Sequence, residues 1–320
     1  MIVTVTLNAA IDKTLAVPNV RLGRRHRSTE QRTMAGGKGV NVARALKLLD
    51  QPVIAMGLAG GPTGTRISEQ LTEEAVLSDF TRIRDESRTS TAVIDPTSGE
   101  QTEINEQGPE VTEAEFSLFR DKLLYVTRGA DVCVFAGSLP RGIDNNAYAS
   151  LITELAGLGV TTVVDAEGDP MQLALRAGPD LVSPNADEAE GLVGHEFRDE
   201  DDHVNGLYEL CELGAREAII THDEGCYALV GRNQERRLFG VSVERLEPVS
   251  AIGAGDVLLA GYLAARYVGR DYEESLRFAV ACGAESTQHF GAGVLDPREV
   301  GHIEADVTVL ELEKPAPARA

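Results

Sequence analysis

The feature that most restricts the fold is a repeating alternation of short apolar strands with helical segments. Residues 131–136, 160–165, 181–182 and 218–221 are short runs rich in apolar and β-branched residues. Between them, 145–158, 170–176 and 200–213 carry helical spacing. Strands this apolar are buried on both faces, and strands joined through helices run parallel. The pattern predicts an α/β fold: a largely parallel sheet with helices on both sides. The first half begins the same way. Residues 2–7 read as a strand, 39–49 as a helix, 53–59 as a strand and 64–75 as a helix. Residues 90–95 and 101–105 flank "PTSG" and read as a hairpin. Thr112 with Glu115 forms a capping box that opens a helix to about residue 125. Runs at 226–230 and 237–241 read as a meander, and 254–268 and 272–287 as closing helices. In parallel sheets of this kind, ligands sit beyond the carboxyl ends of the strands.

Charge and composition exclude several classes. The net charge of −21 over 320 residues disfavours nucleic acid as a partner, because a phosphate backbone calls for a basic face. Scarce lysine with excess acid fits a salt-adapted proteome or a GC-rich genome equally well. No apolar run reaches the roughly 20 residues of a membrane helix. The start, "MIVTVTLNAAID", reads as a strand and not as a signal peptide, so the expected location is cytoplasmic. Cys133, Cys211, Cys226 and Cys282 are too scattered for a metal or disulfide motif and are expected as reduced thiols. His222 and His289 are expected to be structural. The tail "EKPAPARA", 313–320, is expected to be disordered.

The unusual motifs cluster at predicted strand ends. "LNAAID", 7–12, closes the first strand with Asn8 and Asp12. "AGGKGVNVARAL", 35–46, sets Gly36, Gly37 and Gly39 around Lys38, with Asn41 in the first helical turn. Such a turn suits a polar or anionic ligand, although the spacing is neither a Walker A loop nor GxGxxG. "RLGRRHR", 21–27, is a basic cluster that, with Arg32, Lys38 and Arg88, could meet a phosphate or simply be solvated. "FAGSLPRGI", 135–143, brings Gly137 and Ser138 to a strand end. In "SPNADEAE", 183–190, Asn185 and Glu188 read locally as a capping box, while their hard oxygens also suit Mg²⁺ through water. "SAIGAGDVLLAGYL", 250–263, sets Asp256 at the mouth of an apolar helix, either as a cap or as a proton acceptor beside a phosphate.

Taken in order, these motifs resemble the PfkB-type, ribokinase-like carbohydrate kinases across nearly the whole chain. "LNAAID", "GGKGVNVA" and "TEINEQGP" look most like the phosphosugar branch, of the 1-phosphofructokinase and tagatose-6-phosphate kinase type. The resemblance implies a three-layer α/β/α sandwich with a mostly parallel central sheet and a small β-sheet lid. It implies a single kinase domain over 1–312, with lid segments at about 13–34 and 88–106. Lids of this kind often pair between subunits, which implies a homodimer. The implied reaction is ATP-dependent phosphorylation of a phosphorylated ketohexose, first of all fructose 1-phosphate to fructose 1,6-bisphosphate. The alternatives are a tagatose-6-phosphate or fructose-6-phosphate kinase and, from another class, a non-catalytic sugar-phosphate sensor. The implied cofactors are ATP and Mg²⁺.

By the same resemblance Asp256 is the catalytic base, and Gly253, Ala254 and Gly255 shape an anion hole with it. Asp12, Gly37, Asn41, Asn105 and Ser138 would meet the substrate, with Lys38 and Arg88 at its existing phosphate. Asn185, Thr221, Gly225 and Gly283 would meet the nucleotide, and Asn185 with Glu188 would organise the metal. The chain departs from the usual pattern at Ala9 (Pro in relatives), Ser183 (Lys) and Ile252 (Thr).

Overall fold

The computed structural model describes residues 1–232, 235–244 and 246–313. The expected disordered tail, beyond Glu313, lies outside the described residues. The chain begins with β1 (Ile2–Thr6), β2 (Ala10–Ala16), β3 (Glu30–Gly36), α1 (Lys38–Leu48), β4 (Val53–Gly60) and α2 (Gly61–Glu73). It continues with β5 (Leu77–Ile83), β6 (Arg88–Ile94), β7 (Gln101–Asn105), α3 (Glu113–Val126) and β8 (Val132–Ala136). Then come α4 (Ala147–Ala156), β9 (Thr161–Asp165), α5 (Gly168–Arg176), β10 (Leu181–Val182), α6 (Ala186–Val193) and α7 (Glu200–Glu212). The last elements are β11 (Glu217–His222), β12 (Gly225–Val230), β13 (Arg237–Ser242), α8 (Ala254–Tyr267), α9 (Tyr272–Ser286), α10 (Pro297–Glu304) and β14 (Thr308–Leu312).

The main sheet has ten strands in the order β14-β13-β12-β11-β10-β9-β8-β1-β4-β5. Every pairing from β11 across to β5 is parallel, and those from β11 to β14 are antiparallel. Alternation along β1 shows why two cores form. Ile2 packs into one apolar cluster with α1, α8 and α9, while Val3 and Val5 pack into the other with α3, α4 and α7. The expected α/β/α layering is therefore present.

A second sheet, β3-β2-β6-β7, stands apart from the first. β6 and β7 form the expected hairpin, β2 pairs antiparallel with β3, and β2 runs parallel to β6. β2 and β3 were foreseen only as part of the lid segment the resemblance implied, and β5, α10 and β14 escaped the sequence reading altogether. β5 is an edge strand with a half-exposed, weakly alternating face, α10 is short, and β14 is mostly exposed. None of them carries enough buried apolar residues to produce a clear period. No helix among the described residues is long and apolar enough to cross a membrane.

Candidate active site

A cleft of about 1530 Å³ opens over the carboxyl ends of the parallel strands. Thr6 and Asn8 reach it from β1, Gly137 and Ser138 from β8, Asp165 from β9, Ser183 from β10 and Thr221 from β11. The starts of α1, α6 and α8 close its floor, and β2, β6 and β7 of the small sheet form its opposite wall.

At the floor, Gly253 takes φ 76°, a left-handed conformation that L side chains seldom adopt, and α8 starts directly after it. The first-turn N–H groups of Gly255 and Asp256 have no backbone acceptor among the described residues. A helix start with free N–H groups favours an anion. Asp256 is 5% exposed and accepts from Asn41 Nδ2 at 2.8 Å. Burial, reinforced by the Asp165 carboxylate, pushes its pKa up to about 8, against the opposing pull of Lys38 and the Asn41 amide. A carboxyl titrating near neutrality is well matched to proton transfer.

Asp12 projects from β2, its carboxylate accepting from the Gly37 N–H at 3.3 Å. Burial raises its pKa. A Cβ at Gly36 would fall 1.9 Å from Asp12 Oδ2, so glycine there is what admits this carboxylate. On the neighbouring strand β6, Arg88 donates to the Asn8 carbonyl at 3.1 Å and the Glu106 carbonyl at 3.2 Å. Asn8 Nδ2 reaches Ser138 Oγ at 3.1 Å, while its Oδ1 is buried without a partner.

Lys38, expected at the substrate's phosphate, lines the cleft. Its ammonium bridges Asp165 Oδ1 and Glu188 Oε1, each at 2.8 Å. Burial alone would lower its pKa, but the two carboxylates outweigh burial and hold it protonated. Asn185 and Glu188 form the capping box in full. Asn185 Oδ1 accepts from the Glu188 N–H at 2.8 Å, and Glu188 Oε2 from the Asn185 N–H at 3.0 Å. Among the described residues no group of three or more His, Cys, Asp or Glu is arranged to hold a metal. Asn185 Oδ1 and both Glu188 oxygens already have partners, so direct metal ligation by this pair would compete with them.

Asp256, Gly253, Ala254, Gly255, Asp12, Gly37, Lys38, Asn41, Arg88, Asn105, Ser138, Asn185, Glu188 and Thr221 all line this one cleft. Gly225 and Gly283 do not. Gly225 starts β12 against β13, and Gly283 packs α9 against Leu258 of α8. Their chain neighbours Glu224 and Ala284 reach the wall instead.

Two features were missed in the sequence. Asp165, 4% exposed, ends the run "TTVVD", and a charge closing a buried parallel strand was the available signal. His203, His222 and Tyr227, also lining the cleft, cluster with ring centroids 5.0 to 5.9 Å apart, in tilted and edge-on contacts. Burial and the neighbouring His203 lower the pKa of His222. His289 pairs with Glu285 at 2.7 Å, and all four cysteines are free, with Cys133, Cys226 and Cys282 buried.

Comparison with known proteins places the chain among sugar-phosphate kinase relatives. The chain is 32% identical over 284 residues to a 1-phosphofructokinase of Borreliella burgdorferi, covering 88% of this chain and 90% of that one. It is 28% identical to a tagatose-6-phosphate kinase of Staphylococcus epidermidis, covering 98% and 100%. Phosphofructokinase-2 from Escherichia coli, solved in complex with substrates and products, superposes with a TM-score of 0.87 at 28% identity, over 95% of this chain and 98% of that chain. Residues 5–298 match the description of the pfkB family carbohydrate kinases, and the chain belongs to that family.

Proposed function

We propose that this chain transfers the terminal phosphoryl group of ATP to a free hydroxyl of a phosphorylated ketohexose, with fructose 1-phosphate as first candidate and fructose 1,6-bisphosphate as product. The observation that carries the reading is Asp256. It is buried, held through one oxygen by Asn41, and set at a helix start with free N–H groups. The hydroxyl oxygen forms a bond to phosphorus as the bond from phosphorus to the departing nucleotide oxygen breaks, and the hydroxyl proton passes to Asp256 Oδ1. The Gly255 and Asp256 N–H groups stabilise the charge on the migrating group; a donor so placed contributes roughly 2.7–4 kcal/mol. Asp12, Gly37, Asn41, Asn105 and Ser138 orient the sugar, and Arg88 meets its existing phosphate. Thr221, with Glu224 and Ala284 beside it, faces the nucleotide. Asn185 and Glu188 would hold Mg²⁺, which would supply further charge neutralisation when bound. Lys38 fixes Glu188 and Asp165 in place.

The tagatose-6-phosphate kinase and phosphofructokinase-2 relatives support a second reading, a kinase of 6-phosphorylated sugars. A coupled assay over a panel of sugar phosphates with ATP and Mg²⁺ separates the two readings by kcat/KM. Fructose 1-phosphate should lead. A 6-phosphate in the lead transfers the reading to the second class, and no turnover with any member leaves a non-catalytic sensor.

The reading extends to a single cytoplasmic kinase domain over 1–312 whose small sheet acts as a lid. It also includes a homodimer through that lid, supported by β7, which lies at the sheet edge with Ile104 63% exposed. A monomeric mass by light scattering at working concentration would count against the dimer.

A further inference from the structure

Arg44 is 4% exposed in the middle of α1, and nothing in the reaction just described uses it. It is nonetheless the most heavily bonded side chain near the floor. Nε and Nη2 grip Glu74, just past α2, at 2.6 and 3.2 Å. Nη2 also donates to the Ala35 carbonyl of β3 at 2.6 Å. Nη1 donates to the Ala292 carbonyl and to Asn41 Oδ1, each at 3.3 Å.

The last contact matters chemically. Guanidinium only donates, so the oxygen end of the Asn41 amide must face Arg44. The nitrogen end is then turned to Asp256, where it donates at 2.8 Å. A flipped amide would set two oxygens against each other. The loop beyond α9 reinforces the arrangement. A Cβ at Gly293 would fall 2.8 Å from Asn41 Cα, so this loop lies directly on the asparagine. Arg32 of β3 donates to the Phe290 carbonyl at 2.6 Å, joining the same loop to the small sheet.

We propose that Arg44 is a positioning residue. It fixes the Asn41 amide so that Asp256 presents one open oxygen to the attacking hydroxyl, and it ties that geometry to the root of the small sheet through Ala35 and Ala292. The proposal rests on the reading of Asp256 as proton acceptor.

The test is a kinetic cycle of wild type, Arg44→Lys, Asn41→Ala and the double variant, with thermal unfolding recorded for each. Arg44→Lys keeps the charge but loses the fork; Arg44→Gln is the second variant should the lysine protein fail to fold. Arg44→Lys should lower kcat by about 10-fold to 10²-fold while both KM values stay within about 2-fold. In the Asn41→Ala background the same change should lower kcat by less than about 2-fold, because its route is already cut. Multiplicative losses in the cycle, or a loss confined to KM, overturn the proposal. A wild type with no kinase activity overturns the functional reading alone. The ¹⁵N signal of the Asn41 side-chain amide then decides the role of Arg44: moved in Arg44→Lys, the role stands; unmoved, it falls.

Discussion

The two walls of the cleft are built differently. On the floor, Asp256, Asp165 and Asn41 are each at most 5% exposed, and every one is bonded to another cleft residue. On the small sheet, β7 is exposed almost along its length, and among the described residues the side chain of Asn105 hydrogen-bonds only Glu103, at 3.4 Å. A charge on the floor is held by neighbours that must move with it. An exposed polar group on β7 has little to hold it, whereas Asp12 on β2 and Arg88 on β6 are anchored to Gly37 and to the Asn8 and Glu106 carbonyls. The contrast suggests a division of labour, with chemistry in the over-determined wall and choice of sugar in the adaptable one.

Substitutions on the two walls should therefore fail in different ways. The largest effect is expected from Asp256→Asn, which should cut kcat by at least about 10² while sugar-phosphate binding by calorimetry stays close to wild type. Near-normal turnover would remove the floor from the chemistry. Next is pH. With Asp256 titrating at about 8, kcat/KM should fall about tenfold per unit below that value. The same proton bears on stability. The folded chain keeps it up to about pH 8, whereas the reference aspartate releases it near 3.8. Its contribution is full below about pH 4 and is lost as pH rises through 8. Asp256→Asn should flatten that decline in urea titrations at about pH 6 and about pH 9; an unchanged slope would mean that another group carries it.

Lys38→Met comes third. It leaves Asp165 and Glu188 facing each other without their cation. Because Lys38 is 32% exposed, the expected loss of stability is about 2 kcal/mol, less than for a fully buried pair. No change in the denaturant midpoint would show that the bridge is not structural. Smallest is Arg88→Ala on the small sheet. It should raise KM for the sugar phosphate about tenfold and leave KM for ATP within about 2-fold. Equal effects on both substrates would erase the distinction between the walls.

The sequence exposed much of the floor because its turns are chemically odd. Gly36-Gly37-Lys38 and Gly253-Ala254-Gly255-Asp256 interrupt apolar segments with charges, and both lie in the cleft. Asp165 stayed hidden because "TTVVD" is an ordinary buried strand until its last residue, and its partner Lys38 lies 127 positions away. Arg44 stayed hidden for the opposite reason. An arginine on a helix is usually solvated, and only the packing of α2, β3 and the 290–293 segment around it reveals burial. Lys38 was legible as a cleft residue, but the two distant carboxylates that hold its ammonium, Asp165 and Glu188, show only in the fold. β5 and β14 were missed because edge strands need little apolar content to pair.

The strand order has a consequence for synthesis. β1, made first, ends between β4 and β8, so the centre of the main sheet can assemble from the first 136 residues. The floor cannot. Asn41 waits for a partner 215 positions downstream, and α8 leaves the ribosome only after every parallel strand. A nascent chain stalled before residue 256 could thus fold most of its sheet, and grip Lys38 between Asp165 and Glu188, while remaining chemically inert. Competence would come late and abruptly, with the arrival of a single helix.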